Sequence, residues 1–357
     1  MSSPFGLTEQ REAALDLMHI MAPKKALIIG SSGQDGSYLS ELLATKGYDV
    51  HGLERSHAES RSTAESGAMT RHFGDLSDCN SLVRIINKVR PDEVYNLGAQ
   101  SQINLSFSVP EHTADITGLG VTRILETLHR TECPARFYQA SSSELFGDTT
   151  ISPQNEQTPF SPRNPYATAK AYGFYITRNY RESYGMFAVN GILYNHESPR
   201  RDESYVTRKI TLSLARILAG TQDCLALGNL EAKRDWGYAK EFVEGMWLMM
   251  QQEKPDDFVL ATGHRHSVRE FLEHCLNSTG MKWTKSGNSD DEVYKDAKGS
   301  VIVRIDPRFK RPTVAKEAFI GDASKAKKIL GWQAKTTLKE LADIMMTSDL
   351  KKLGIKA

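Results

Sequence analysis

Apolar positions in this chain follow two periods that alternate along it. Lys25-Ala26-Leu27-Ile28-Ile29-Gly30 is a short apolar run, long enough for one buried parallel strand. Gly30, Gly33 and Gly36 follow in the spacing Gly-x-x-Gly-x-x-Gly. Tyr38, Leu39, Leu42 and Leu43 then recur at helical spacing, and Gly47 is a stop signal. A second strand runs from Tyr48 to Leu53 and ends at Glu54-Arg55. The glycines therefore sit at a strand-to-helix turn. There the backbone can approach a pyrophosphate closely, and the helix N-terminus offers free N–H groups. This pattern is that of a dinucleotide-binding βαβ unit.

The alternation continues. Residues 56–70 read as a polar loop, and Arg71-His72-Phe73 leads into Gly74-Asp75-Leu76. Leu82, Ile85, Ile86 and Val89 mark one helix face. Glu93 to Leu97 predicts a strand ending in Gly98-Ala99-Gln100-Ser101, and Thr113 to Arg130 predicts one long helix. Arg136 to Ala140 predicts the next strand, ending in Ser141-Ser142-Ser143-Glu144. A Pro-rich loop, a helix over Tyr166 to Tyr184 and a strand over Phe187 to Leu193 follow. The expected fold class is α/β, a doubly wound parallel (Rossmann) sheet with a smaller, mixed C-terminal substrate lobe. Ligands of such sheets lie at the carboxyl ends of the strands, and Asp75, Ala99 and Ser142 all fall there.

Beyond residue 195 the rhythm breaks into short helical and irregular pieces. The chain returns once to the sheet near Phe258-Val259-Leu260, and 283–300 reads as a polar surface insertion. Three regions are expected: an N-terminal extension, 1–23, with a short helix over Thr8 to Met21; a dinucleotide-binding domain, 24–195, completed by residues near 255–262; and a mainly substrate-binding lobe, 196–357. Met21 is an alternative start.

Composition narrows the function. The chain has 357 residues, 39% hydrophobic and 25% charged, as expected of a water-soluble globular protein with ample core. A formal net charge of +1 without a long basic run disfavours nucleic acid as a partner. No stretch reads as a membrane span. Cys79, Cys133, Cys224 and Cys275 are far apart and form no Cys-x-x-Cys pair, which fits neither a metal site nor a disulfide framework and suits a cytoplasmic location.

The candidate chemistry is Tyr-x-x-x-Lys. On a helix, positions i and i+4 share a face, so an ammonium lies near a phenol and is expected to lower its pKa. The pattern occurs three times, at Tyr166/Lys170, Tyr205/Lys209 and Tyr294/Lys298. Only Tyr166 follows a strand ending in hydroxyl residues and opens a strong helix inside the alternating region. Ser142 can hydrogen-bond an oxygen that changes between alcohol and ketone. Glu144 can remove a carbon-bound proton or protonate a leaving hydroxyl. The competing readings are a polar strand end and a solvated or capping carboxylate.

At these residues the chain resembles the GDP-mannose 4,6-dehydratase family of extended short-chain dehydrogenases. The resemblance runs from about Lys24 to Met345. It rests on Gly-Ser-Ser-Gly-Gln-Asp-Gly-Ser-Tyr-Leu from Gly30, Tyr-Asn-Leu-Gly-Ala-Gln-Ser from Tyr95 and Tyr-Gln-Ala-Ser-Ser-Ser-Glu-Leu-Phe-Gly from Tyr138. Asn-His-Glu-Ser-Pro-Arg-Arg from Asn195, Val-Thr-Arg-Lys-Ile from Val206, Arg-Asp-Trp-Gly from Arg234 and Asp-Pro-Arg-Phe-Lys-Arg-Pro from Asp306 add to it.

The resemblance implies that Gly30, Ser31, Ser32, Gly33, Gln34, Asp35 and Gly36 cradle an NADP pyrophosphate, and that Arg55 meets the 2′-phosphate. Asp75 and Leu76 would flank the adenine. Leu97, Gly98, Ala99, Gln100 and Ser101 would line the middle of the cofactor, with His112, His196 and Arg201 touching it. Ser142, Glu144, Tyr166 and Lys170 match the catalytic positions. Ser101, Ser143, Glu144, Asn195, Lys209, Arg234, Arg308 and Arg311 would meet GDP-mannose, whose diphosphate suits basic partners.

The implied reaction makes Tyr166 take the C4 hydroxyl proton while hydride leaves C4, and Glu144 remove the C5 proton and help expel the C6 hydroxyl. Hydride then returns to C6, giving GDP-4-dehydro-6-deoxymannose, a precursor of GDP-fucose and other GDP-deoxyhexoses. The implied assembly is a homodimer or homotetramer. An epimerase or reductase on the same fold is the alternative, as is a dehydratase for another nucleotide sugar.

Five departures from the family stand out. Ser142 replaces a threonine, and paired arginines are reduced to Arg55-Ser56 with Glu54 ahead of them. The loop from Ser56 to Arg71 is shorter, and His112 and Tyr238 replace a tyrosine and a histidine. An acidic residue at this strand end commonly binds the ribose 2′-hydroxyl of NAD. NADP is nevertheless expected ahead of NAD, on Arg55.

Overall fold

The computed structural model describes residues 23–55, 69–309 and 319–355. The expected Thr8–Met21 helix, most of the loop after Arg55, and Arg311 lie outside them. Six strands appear in chain order: β1 (Lys25–Ile29), β2 (Asp49–Glu54), β3 (Met69–Phe73), β4 (Glu93–Asn96), β5 (Arg136–Ser142) and β6 (Ala188–Leu193). With Phe258–Leu260 they make one seven-stranded sheet. Its order is Phe258–Leu260, β6, β5, β4, β1, β2, β3, and every neighbouring pair is parallel. The apolar runs form these strands because both faces are covered. All of β6 is buried, as is all of β4. Strand order runs outward from β1 in one direction and from β4 in the other, so the topological switch lies between them. Strand ends beside that switch open a crevice for ligands.

Helices cover both faces. On one, Leu82, Ile85 and Ile86 of the Cys79–Val89 helix meet Ile124 and Leu128 of the Gly120–Arg130 helix and Val94 of β4. On the other, Leu39 and Leu43 of the Gln34–Thr45 helix meet Phe242, Met246 and Met249 of the Ala239–Met250 helix. That second helix comes late in the chain yet belongs to the sheet's core.

The expected single helix over Thr113 to Arg130 is divided. A turn begins at Pro110, a wide π-helical segment spans Ala114–Leu119, and regular helix resumes at Gly120. Gly118 and Gly120 lie in this break. A Cβ on Gly120 would stand 3.1 Å from the Leu76 side chain, so close packing sets the glycine where helix propensity is weak.

The second lobe is more regular than its sequence rhythm predicts. The Val206–Leu218, Val268–Ser278 and Leu338–Lys352 helices share a core. A four-stranded sheet, ordered Trp283–Ser286, Val293–Asp296, Val301–Ile305, Leu225–Leu227, packs beside them. The supposed polar insertion at 283–300 therefore contains two of these strands, Trp283–Ser286 and Val293–Asp296. Its polar residues face water on one side, while Tyr294, Ile302 and Val303 are buried on the other. Arg208 and Asp349 form a buried ion pair between two of the helices. Asn195–Glu197, just past β6, pairs in parallel with Trp236–Tyr238 and joins the lobe to the sheet.

Candidate active site

The glycine turn comes first in the chain and in the site. Gly30 has φ +84°, and a Cβ there would lie 3.0 Å from the backbone nitrogen of Gly98. A Cβ on Gly36 would lie 2.3 Å from the Gly30 carbonyl oxygen. Both positions therefore need glycine, for conformation and for close approach. The turn delivers the N-terminus of the Gln34–Thr45 helix to the strand ends. Its free N–H groups suit a pyrophosphate, and a nicotinamide dinucleotide fits this cradle.

The loop after β6 is clamped onto that helix. Gln34 Nε2 donates to the His196 carbonyl at 3.0 Å, and Ser198 Oγ donates to Gln34 Oε1 at 2.8 Å. Arg200 reaches Ser37 and Glu41. His196 is buried with Nδ1 2.7 Å from the Tyr194 carbonyl and Nε2 2.8 Å from Asp35 Oδ2. Both neighbours are acceptors, so the ring satisfies both only as imidazolium. Burial works to lower the His196 pKa, but the Asp35 carboxylate outweighs it and the net shift is upward. Burial likewise works to raise Asp35, and His196 and Arg201 reverse it, leaving Asp35 below its ordinary value. The pair is a fixed dipole at the turn.

At the far end of the crevice, Glu54 and Arg55 both line the wall. Strand alternation predicts opposite faces, but β2 stops at Glu54, so Arg55 is free of that constraint. Glu54 is buried. It accepts from Ser31 Oγ at 3.2 Å and has Arg71 Nε 3.8 Å away, while its Oε2 has no hydrogen-bond partner. Ser31 is thus beneath the wall rather than on it. Asp75 and Leu76 follow β3 on the same edge, and His112 stands close to Asp75.

The other end holds the reactive groups. Ser142 closes β5 and its hydroxyl accepts from the Glu144 backbone N–H at 3.2 Å. The same hydroxyl interacts with the Tyr166 phenol. Tyr166 and Lys170 sit one turn apart on the Pro165–Tyr184 helix, with the Lys170 ammonium 5.8 Å from the phenol ring centre. Lys170 Nζ donates to the Ala140 carbonyl at 2.7 Å. Burial lowers its pKa from 10.5 to about 8. The expected fall of the tyrosine does not occur: burial drives Tyr166 well above its ordinary value, with Tyr205 and Glu144 adding to that, and Ser142 and Arg201 opposing it. Desolvation of the phenolate exceeds what these neighbours return.

The crevice joining the two ends is about 580 Å³. Apart from Ser31, every expected cofactor residue lines it, as do Ser101, Ser143, Glu144 and Asn195. Lys209, Arg234 and Arg308 do not. Lys209 Nζ donates to the Ala226 carbonyl, Arg234 Nη1 donates to the Lys233 carbonyl, and Arg308 is held by Asp306 in its own turn. All three lie in the second lobe.

Two other tyrosines shared the Tyr-x-x-x-Lys pattern. Tyr294 is core, bonded to Arg269 and Glu273. Tyr205, however, lines the crevice, and its hydroxyl donates to Ser101 at 3.1 Å while Arg201 stacks on its ring. The spacing pairs Tyr205 with Lys209, but Lys209 turns to the Ala226 carbonyl and the phenol reaches the crevice without it. Asn164 was also missed: Nδ2 donates to Glu144 Oε2 at 3.0 Å. Its place before Pro165, at a helix start, was the available signal. Among the described residues, no group of His, Cys, Asp and Glu could hold a metal ion, and no helix is long and apolar enough to cross a membrane.

Comparison with known proteins completes the picture. The fold is similar to UDP-glucose 4-epimerase from Thermotoga maritima, with TM-score 0.79 and 22% identity over 92% of this chain and 99% of that one. It is also similar to RMD from Pseudomonas aeruginosa, solved with NADPH, at TM-score 0.74 and 20% identity over 92% of this chain and 99% of that one. In sequence, GDP-mannose 4,6-dehydratase from Vibrio cholerae is 48% identical over 92% of this chain and 94% of its own length. The Drosophila melanogaster GDP-mannose 4,6 dehydratase is 49% identical over 92% of this chain and 86% of its own. The family profile described as GDP-mannose 4,6 dehydratase matches residues 27–345, and the chain belongs to that family.

Proposed function

We propose that this chain converts GDP-mannose into GDP-4-dehydro-6-deoxymannose with loss of water, using NADP held permanently in the crevice. The observation that carries this reading is the gathering of Ser142, Glu144, Tyr166 and Lys170 at one end of a crevice whose other end is a dinucleotide cradle. The nicotinamide supplies a hydride acceptor for C4 and a hydride donor for C6. The rest falls to side chains. Tyr166 accepts the C4 hydroxyl proton, Ser142 orients the same oxygen, and Lys170 supplies positive charge beside the phenolate. Glu144 takes the C5 proton, acidified by the new ketone, and returns it to the departing C6 hydroxyl. Burial favours the chemistry by excluding water from the intermediate.

The cofactor reading rests on Arg55 at the crevice wall, while Glu54 is engaged with Ser31 and Arg71. Residues 24–195 supply most of the cofactor half. The part from 196 onward supplies the nucleotide-sugar lobe, with Lys209, Arg234, Arg308 and Arg311 as candidates for the GDP moiety. We place the enzyme in the cytoplasm as a homodimer or homotetramer.

The test is incubation with GDP-mannose and NADP, followed by mass analysis of the sugar nucleotide. Loss of one water is expected. An isomer of unchanged mass would instead indicate an epimerase, and unaltered GDP-mannose an enzyme for another nucleotide sugar.

A further inference from the structure

Asn164 stands where the chain needs two things from one side chain. Pro165 follows it, so its backbone is held extended, at φ −147° and ψ 160°, which is the geometry of a helix N-cap. Its Oδ1 accepts from the Ala167 N–H at 2.8 Å. A backbone N–H can only donate, so this bond fixes which end of the carboxamide is oxygen. The NH₂ group is thereby turned toward Glu144, whose Oε2 it meets at 3.0 Å. Serine and aspartate cap helices as well as asparagine does, but neither has an amide donor for the carboxylate as well.

Glu144 is consequently gripped twice. Ser142 Oγ accepts from its backbone N–H, and Asn164 donates to its carboxylate. We propose that Asn164 is a positioning residue for the elimination: it ties the base to the N-terminus of the helix that carries Tyr166 and Lys170, and leaves Oε1 as the oxygen that takes the C5 proton. This rests on the reading of Glu144 as that base. Its consequence is mechanical as well as electronic. The group acting at C4 and the group acting at C5 keep a fixed separation because one side chain spans them. Both oxygens of an unheld carboxylate would sample orientations unproductive for proton transfer.

Asn164→Ser and Asn164→Asp keep a cap and lose the amide donor, so both are expected to fold; melting temperature checks this. In a single turnover with GDP-mannose, water loss should slow by about tenfold or more, the worth of a hydrogen bond to a charged group. Reduced cofactor, read by its near-ultraviolet absorbance, should accumulate because C4 oxidation outruns elimination. Asn164→Asp should also move the acid limb of the elimination profile to higher pH, since a second carboxylate favours protonated Glu144. Tyr166, Lys170, Arg201, Tyr205, Asp35 and His196 also line the crevice, Arg163 paired with Asp148 adjoins Asn164, and none is altered. If Asn164 were only a cap, both variants would preserve it, and the melting temperature, the ratio of the two steps and the pH profile would all stay as they are. Unchanged profile and ratio in both variants would overturn the proposal. Glu144→Gln is the control: normal turnover there would overturn the reading of Glu144 itself, whatever Asn164 does.

Discussion

Lys170 is the residue at which function and stability conflict most openly. Burial takes its pKa from 10.5 to about 8, so at neutral pH the fold carries a desolvated ammonium. A depressed lysine pKa destabilises fully below the folded value, and the penalty fades as pH rises from about 8 toward 10.5. Lys170→Met should therefore abolish turnover and yet stabilise the protein at pH 7, by at most about 2–3 kcal/mol. The Ala140 carbonyl keeps a partner, since Gln139 Nε2 also donates to it at 2.9 Å. Thermal melts at pH 7 and 9.5 check this, and the gain should shrink at the higher pH. At the adenosine end, Arg55→Ala should weaken NADP more than NAD by about 1.5–3 kcal/mol, the worth of a charge-assisted hydrogen bond. Equal weakening of both in binding titrations would leave the 2′-phosphate to another group. The proposed reactive set was legible because Ser142 and Glu144 stand at a strand end and Tyr166 and Lys170 lie one turn apart at the start of a helix. What was not legible is the field around it. The direction of the Tyr166 shift depends on burial by residues distant in sequence, and Tyr205 entered the crevice through a loop whose path no spacing encodes.

At the scale of elements, the strand–turn–helix unit was readable because its glycines serve backbone geometry. Gly30 serves conformation and Gly36 close approach. Gly36→Ala places a Cβ 2.3 Å from the Gly30 carbonyl, against backbone rather than a movable side chain. It should displace the start of the helix and lose dinucleotide binding in a titration. Gly47 also has φ +80° but meets nothing within 4 Å. Gly47→Ala should cost about 1 kcal/mol of stability and leave cofactor affinity unchanged. Equal losses of affinity in the two variants would show that the turn tolerates a side chain. The Cys79–Val89 helix was equally plain, with Asp78 capping it and a full apolar face. The Thr113–Arg130 segment was not, because apolar spacing does not reveal the π-helical turn at Ala114–Leu119. The Trp283–Ser286 hairpin strand was missed for the opposite reason: a sheet exposed on one face is half polar, and its strands are short.

On the scale of the whole molecule, two cores meet along one crevice. Helix Ala239–Met250 belongs to the sheet's core while Arg208 and Asp349 lock the second lobe, so the chain crosses between them more than once. Sequence order could suggest a cofactor half followed by a substrate half, but not these returns, which depend on contacts between segments far apart. Lys209, Arg234 and Arg308 of the second lobe lie off the crevice wall, whereas Arg201 and the proposed reactive groups line it. A site so arranged keeps a hydride inside from its removal to its return. That is the central claim, and the most direct measurement of it uses GDP-mannose carrying deuterium at C4. The account predicts a product lighter by one water with the deuterium at C6 of the same molecule. Deuterium washed out to solvent, or found on free cofactor while C6 carries hydrogen, would contradict it.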